Sequence, residues 1–156
     1  MKLSFSIHSW PDMNWGQFCA AAADARLQGL EIDQVTNPIF RRRVSPLNPE
    51  LAVAARRELV GHGLEVPCVG TQLDLTKPEA AAEVSAALEA AGNLLVPYVV
   101  LHTRSGDDSA VRDSLSPLVA AAERAGVTLL LETSGSMADT KRLVGVLDHF
   151  ACDSLC

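Results

Sequence analysis

Aromatic residues are scarce in this chain: four Phe, two Trp and one Tyr, 4% of 156 residues. Without large rings, a core has to be assembled from Ala, Leu and Val, which requires close helix packing. Basic residues are outnumbered, 13 Lys and Arg against 19 Asp and Glu, and the net charge is −6. That balance argues against duplex nucleic acid as the main partner, because such binding needs a basic surface. The run Arg41-Arg42-Arg43 reads as a solvated loop, with contact to a phosphate or a partner chain as its functional alternative. No apolar run reaches transmembrane length, and the opening "MKLSFSIHSWPD" is too short for a signal peptide. A cytoplasmic protein with no membrane partner is therefore expected.

Several motifs are missing as well. The four cysteines, Cys19, Cys68, Cys152 and Cys156, lack zinc-site spacing and read as reduced thiols. There is no P-loop, and "HSWPDMNW" offers no glycine-rich turn after the first apolar segment. The serines of "TSGS" lack the G-x-S-x-G elbow, and no Ser-His-Asp or Cys-His triad suggests itself.

What is present is a rhythm of short apolar run and Ala-rich helix. Strands are expected at Leu3–Ser9, Leu30–Val35, Leu64–Asp74 (frayed by Pro67), Tyr98–Arg104 and "TLLLETS" from Thr128, with "SLC" opening a sixth. Helices are expected from Asn14 to Leu27, stopped by Gly29, and from Asn48-Pro49 to His62. A third runs from a Thr76 cap, with Pro78 in its first turn, to Leu95. A fourth spans Asp108–Ala125, in two pieces because of Pro117, and ends at Gly126. A fifth runs from a Ser136/Asp139 capping box to Phe150. Alternating elements with short loops imply a parallel sheet, and near-continuous apolar strands imply that both its faces are covered. The expected class is α/β: a single domain, residues 1–156, resembling an incomplete (β/α)8 barrel of about five units plus the start of strand six. A doubly wound open sheet is the other architecture that fits. A full barrel needs roughly 200 to 250 residues.

In such folds chemistry collects at the carboxyl ends of the strands. Those ends carry His8, Ser9 and Trp10; Glu31 and Asp33; Gln72 and Asp74; His102 and Arg104; and Glu132. Nearly every strand ends in a group that can bind metal, hydrogen-bond a hydroxyl or move a proton. Glu132 is the sharpest case, since a carboxylate directly after "LLL" is costly to bury without a partner. Glu31 and Asp33, two apart, point to one face. Trp10 and Trp15 read more readily as loop packing than as substrate platforms. His62 and His149, at helix ends, read as structural.

These residues resemble the xylose-isomerase-like barrels, which include sugar-phosphate isomerases and epimerases and endonuclease IV. The opening "MKLSFSIHSWPDMNWGQFCAAAADARLQGLEI" is similar to that family's first strand, first helix and second strand. "VPYVVLHT" is similar to its fourth strand with a terminal histidine, and "AERAGVTLLLETSGSMADTKRLVGVLD" to its fifth unit. The resemblance implies a divalent-metal-dependent proton transfer next to a sugar carbonyl. Glu132 would be metal ligand and proton-transfer group, and His102 would contact substrate oxygens or, in the endonuclease branch, metal. Glu31 would lie on the floor of the site, with His8, Trp10, Gln72 and Arg104 around the substrate. The cofactor implied is Mn²⁺ or Mg²⁺ ahead of Zn²⁺ or Co²⁺, and the partner a sugar or sugar phosphate.

Two departures stand out. Thr133 follows the glutamate where the family usually has Asn, and the later strands that would supply an Asp, a His and a second Glu do not follow "CDSLC". The chain then holds one ligand of about four and is expected to be inactive by itself, with apolar sheet edges open to homo-oligomerisation. The alternatives are a half-barrel binding module completed by oligomerisation, an endonuclease IV-like repair enzyme, and an unrelated open α/β module.

Overall fold

The computed structural model describes residues 2–7, 13–33 and 50–156. Its elements alternate: β1 (Ser4–Ser6), α1 (Trp15–Asp24), β2 (Gly29–Glu31), α2 (Ala52–Gly61), β3 (Val69–Asp74), α3 (Ala80–Leu94), β4 (Tyr98–His102), α4 (Asp108–Ala125), β5 (Thr128–Leu131) and α5 (Thr140–Phe150). β1 pairs with β2, and β3, β4 and β5 pair in that order, all in parallel. Parallel bridges from Gly29 to Glu65 and from Ile32 to Val69 join the two groups, and Leu155 bridges to Leu129 beyond β5. Each strand thus lies beside its predecessor, with "SLC" at the sixth position. A doubly wound sheet reverses its strand order, whereas a barrel wall does not. The architecture is that of part of a (β/α)8 barrel. Among the described residues, no helix is long and apolar enough to cross a membrane.

Parallel strands in register place paired residues on the same face. Val99, Leu101, Leu129 and Leu131 form one such face with Leu30 and Ile32. All are buried and belong to one core with Phe18, Val84, Val111 and Leu115 of the helices. The opposite face carries Ser6, Glu31, Gly70, Val100, His102 and Leu130. There Val100 and Leu130 are only half-buried. Contrary to the expectation from apolar strands, the described helices cover one sheet face and not both.

The local differences have physical reasons. Asn14 caps α1 through a capping box with Gln17, and the helix stops at Asp24, where Arg26 takes a left-handed conformation, so Gly29 opens β2 and ends no helix. β3 starts at Val69, beyond Pro67, which has no N–H for the ladder. Thr76 does not cap α3; its N–H and hydroxyl bond Asp74, and Pro78 lies in the turn before the helix. α4 is one helix despite Pro117, which is exposed, so water can satisfy the freed carbonyl a turn earlier. Asp139 alone caps α5, bonding the N–H of Lys141 and Arg142, while Ser136 lies in a preceding 3-10 turn. The cap expected at Asn48-Pro49 and the strand end at Val35 lie outside the described residues.

Candidate functional site

Leu101 is in register with Leu131, so the next residues, His102 and Glu132, stand side by side at the carboxyl ends of β4 and β5. His102 Nδ1 and Glu132 Oε2 lie 2.6 Å apart, an ion-pair contact when the imidazole is protonated. The contact holds the ring and the carboxylate together at neighbouring strand ends. The glutamate side chain is 43% exposed and that of His102 is 22% exposed, so reagents from solvent can reach the pair.

Glu31 and Asp33 share the same sheet face, as their spacing predicts. β3 meets them with Gly70. A Cβ there would stand 3.1 Å from Asp33 Cβ and 3.3 Å from Glu31 Oε1. A glycine inside a strand marks a close approach of this kind, so the sequence held the signal. Asp33 is 5% exposed and accepts a 2.6 Å bond from Ser6 Oγ. Burial raises the Glu31 carboxyl above its usual range, and the Asp33 carboxylate raises it further. The Cys68 thiol hydrogen bond and His102 pull it down, and Glu132 pushes it up. Asp33, His102 and Glu132 therefore all sit within electrostatic reach of Glu31. The Cys68 thiol is itself pushed up to about 12, first by burial and then by Glu31. It is an un-ionised donor and not a thiolate nucleophile.

The remaining expected residues divide. Gln72 Nε2 lies 3.5 Å from Asp33 Oδ2, which attaches it to the acidic group. Arg104 is exposed, and its Nη2 approaches the Gln72 carbonyl at 3.4 Å, at the rim. Asp74 serves the fold instead: burial alone would raise its carboxyl, but bonds from the Ser105 hydroxyl, from the Thr76 N–H and hydroxyl and from the Arg104 backbone hold it below the usual range. Trp15 is buried, its Nε1–H bonded to the Ala55 carbonyl at 3.0 Å, and packs α1 against α2. His8, Trp10 and Arg41–Arg43 lie outside the described residues. Ser6, Cys68 and Gly70 were not singled out by sequence, since each has an ordinary strand or loop reading until its neighbour is known.

The donor set tests the implied metal. Among the described residues, no group of three His, Cys, Asp or Glu side chains is placed to hold an ion. Glu132 offers one carboxylate, and one of its oxygens is engaged by His102. These residues do not by themselves make a divalent-metal site, which ordinarily takes three or more protein ligands.

No family model matches the sequence, and no curated protein matches it. Solved structures do. A xylose isomerase domain protein from Planctomyces limnophilus is 15% identical over 98% of this chain and 60% of its own, with a TM-score of 0.74. The IolI protein, solved with a bound zinc atom, is 17% identical over 99% of this chain and 61% of its own, with a TM-score of 0.75. An AP endonuclease, family 2, from Brucella melitensis is 16% identical over 100% of this chain and 67% of its own, with a TM-score of 0.63. The chain thus has the fold of the xylose isomerase-like barrels, over about three-fifths of the length of the first two. An isomerase-type and a nuclease-type name on one fold mean that the fold does not select the chemistry.

Proposed function

We propose that this chain carries the acid–base part of a sugar or sugar-phosphate isomerase or epimerase site, in which a proton moves next to a carbonyl. The observation that carries the reading is the 2.6 Å His102–Glu132 pair at neighbouring strand ends, on the sheet face that also bears Glu31 and Asp33. A half-exposed carboxylate can take a proton from a bound substrate and return it. His102, tied through Nδ1, orients that carboxylate and presents Nε2 for a substrate hydroxyl or oxyanion. Gln72 supplies an amide for a further hydroxyl, and Arg104 a cation at the rim for a phosphate or a hydroxyl. An acidic, half-buried floor suits a neutral, hydroxyl-rich ligand better than a polyanionic DNA strand, which favours the sugar reading over the nuclease one.

When bound, a divalent cation would polarise substrate oxygens and stabilise enediolate charge. Of the described residues only Glu132 is offered as its ligand, and no step is assigned to the ion. The zinc seen in IolI is that protein's own; its identity here is a matter for metal titration. The activity assigned concerns the whole site, to which residues beyond those described would contribute.

The test is solvent deuterium exchange. This segment within a complete barrel protein is incubated in D₂O with D-xylulose or D-fructose and their phosphates, with and without Mn²⁺, and the carbon next to the carbonyl is followed by NMR. Deuterium should enter at that carbon and not elsewhere. Glu132→Gln should slow entry by about 10²–10⁴-fold with the fold intact. Exchange at the wild-type rate in that variant, or no exchange with any of the four sugars, would overturn the reading.

A further inference from the structure

β3 leaves its ladder just below the site. Gly70 pairs with Val100 and Asp74 with His102, so Thr71, Gln72 and Leu73 stand against the single residue Leu101. Thr71 compensates with a 3.0 Å hydroxyl bond to the Val100 carbonyl. The N–H groups of Gln72 and Leu73 turn onto the Glu83 carboxylate, one to each oxygen, at 2.9 and 2.8 Å. Glu83 belongs to the first turn of α3, in the outer layer, and is 3% exposed. A buried carboxylate is costly unless its lone pairs are met; here two backbone donors and the positive end of a helix meet them.

Bulges at strand ends re-aim side chains. This one turns the Gln72 amide to within 3.5 Å of Asp33 Oδ2 and sets the Gln72 carbonyl 3.4 Å from Arg104 Nη2. We infer that Glu83 is a positioning residue: by clamping the two bulge amides from behind, it fixes the Gln72 carboxamide against Asp33 and the Arg104 guanidinium at the rim. Its effect on a bound sugar rests on the function proposed above; its hold on Gln72 and Arg104 does not.

The test uses isotope-labelled protein and needs no ligand. In the wild type, the backbone amides of Gln72 and Leu73 should be protected from exchange, and the Gln72 side-chain NH₂ should show a nuclear Overhauser contact to the Asp33 β protons. Glu83→Gln sets an NH₂ against one of the two backbone donors. That amide should exchange about tenfold faster or more, as expected for loss of a charge-assisted bond, and the Gln72–Asp33 contact should disappear. The amides of β4 and β5 should keep their protection. Glu83→Asp, one methylene short but still charged, should act in the same direction and protects the experiment against misfolding of the first variant. A Gln72–Asp33 contact that survives in both variants would reduce Glu83 to a structural role and overturn the inference. Should neither variant fold, wild-type exchange decides: bulge amides exchanging at loop rates would overturn it, and protection equal to that of the ladder would support it. In the deuterium assay, Glu83→Gln should raise KM by more than it lowers kcat. Failure of the wild type to exchange any sugar would remove the proposed function and leave the NMR result standing.

Discussion

Glu31 and Asp74 are both strand-end carboxylates, and their surroundings push them in opposite directions. For Glu31, burial and the neighbouring Asp33 raise the native carboxyl, so the folded protein holds that proton more tightly than the unfolded chain does. Stability should then fall as pH rises from about 4.3, the unfolded value, through the raised native value. Glu31→Gln should raise the Tm at pH 7, and the gain should vanish below about pH 4. A Tm at pH 7 equal to or below that of the wild type would show that the acidic group is not strained. For Asp74, hydrogen bonds outweigh burial and the native carboxyl is lowered. Its contribution is present above the unfolded value of about 3.9 and is lost as pH falls through the native one. Asp74→Ala should cost about 1–3 kcal/mol at pH 7, chiefly through the 2.6 Å bond from Ser105. Denaturant melts across pH should find that cost shrinking in acid.

At the scale of elements, the site depends on how the segment after β5 docks. Gly135 has φ +55, and a Cβ there would run into the Thr103 carbonyl and stand 2.8 Å from Arg104 Cα. Ser136 N–H bonds the same Thr103 carbonyl at 2.9 Å. The β5–α5 connection is thereby pinned on the end of β4, with Thr103 one residue past His102 and Gly135 three past Glu132. Gly135→Ala combines a strained backbone with a backbone clash and should cost about 1–3 kcal/mol. Because the clash lies next to the pair, the ring resonances of His102 should shift as well. A stable variant with an unmoved His102 spectrum would mean that the loop does not set the pair's geometry.

For the molecule as a whole, the edge of the sheet at β1 carries the prediction. Among the described strands β1 pairs only with β2, and an apolar hollow of about 300 Å³ lined by Phe5, Met13, Ala21, Ala25 and Leu27 lies beside it. A strand edge with no partner among the described strands invites pairing with a second copy. Sedimentation velocity should show the average mass rising with concentration, and Ala25→Glu, which places a charge in the hollow, should return the chain to monomer. A wild type that stays monomeric at every concentration would rule out self-pairing by this route.

Sequence alone determined what depends on near neighbours along the chain. The alternation of apolar runs and Ala-rich helices, the helix end at Gly126 and the strand-end positions of His102 and Glu132 follow from periodicity and punctuation, and each is found where expected. Tertiary structure decided what depends on partners far along the chain. Glu83 reads as an ordinary surface glutamate of an amphipathic helix until the bulge in β3 supplies two donors to bury it. Asp74 reads as one more polar strand end until Ser105 and Thr76 occupy its oxygens. Gly70 inside a strand signals a close approach, but only the fold decides that Glu31 of β2 and Asp33 just beyond it are what approaches. In each case the deciding energy is a desolvation cost met by a non-local hydrogen bond or close contact, and no local pattern encodes which partner will arrive.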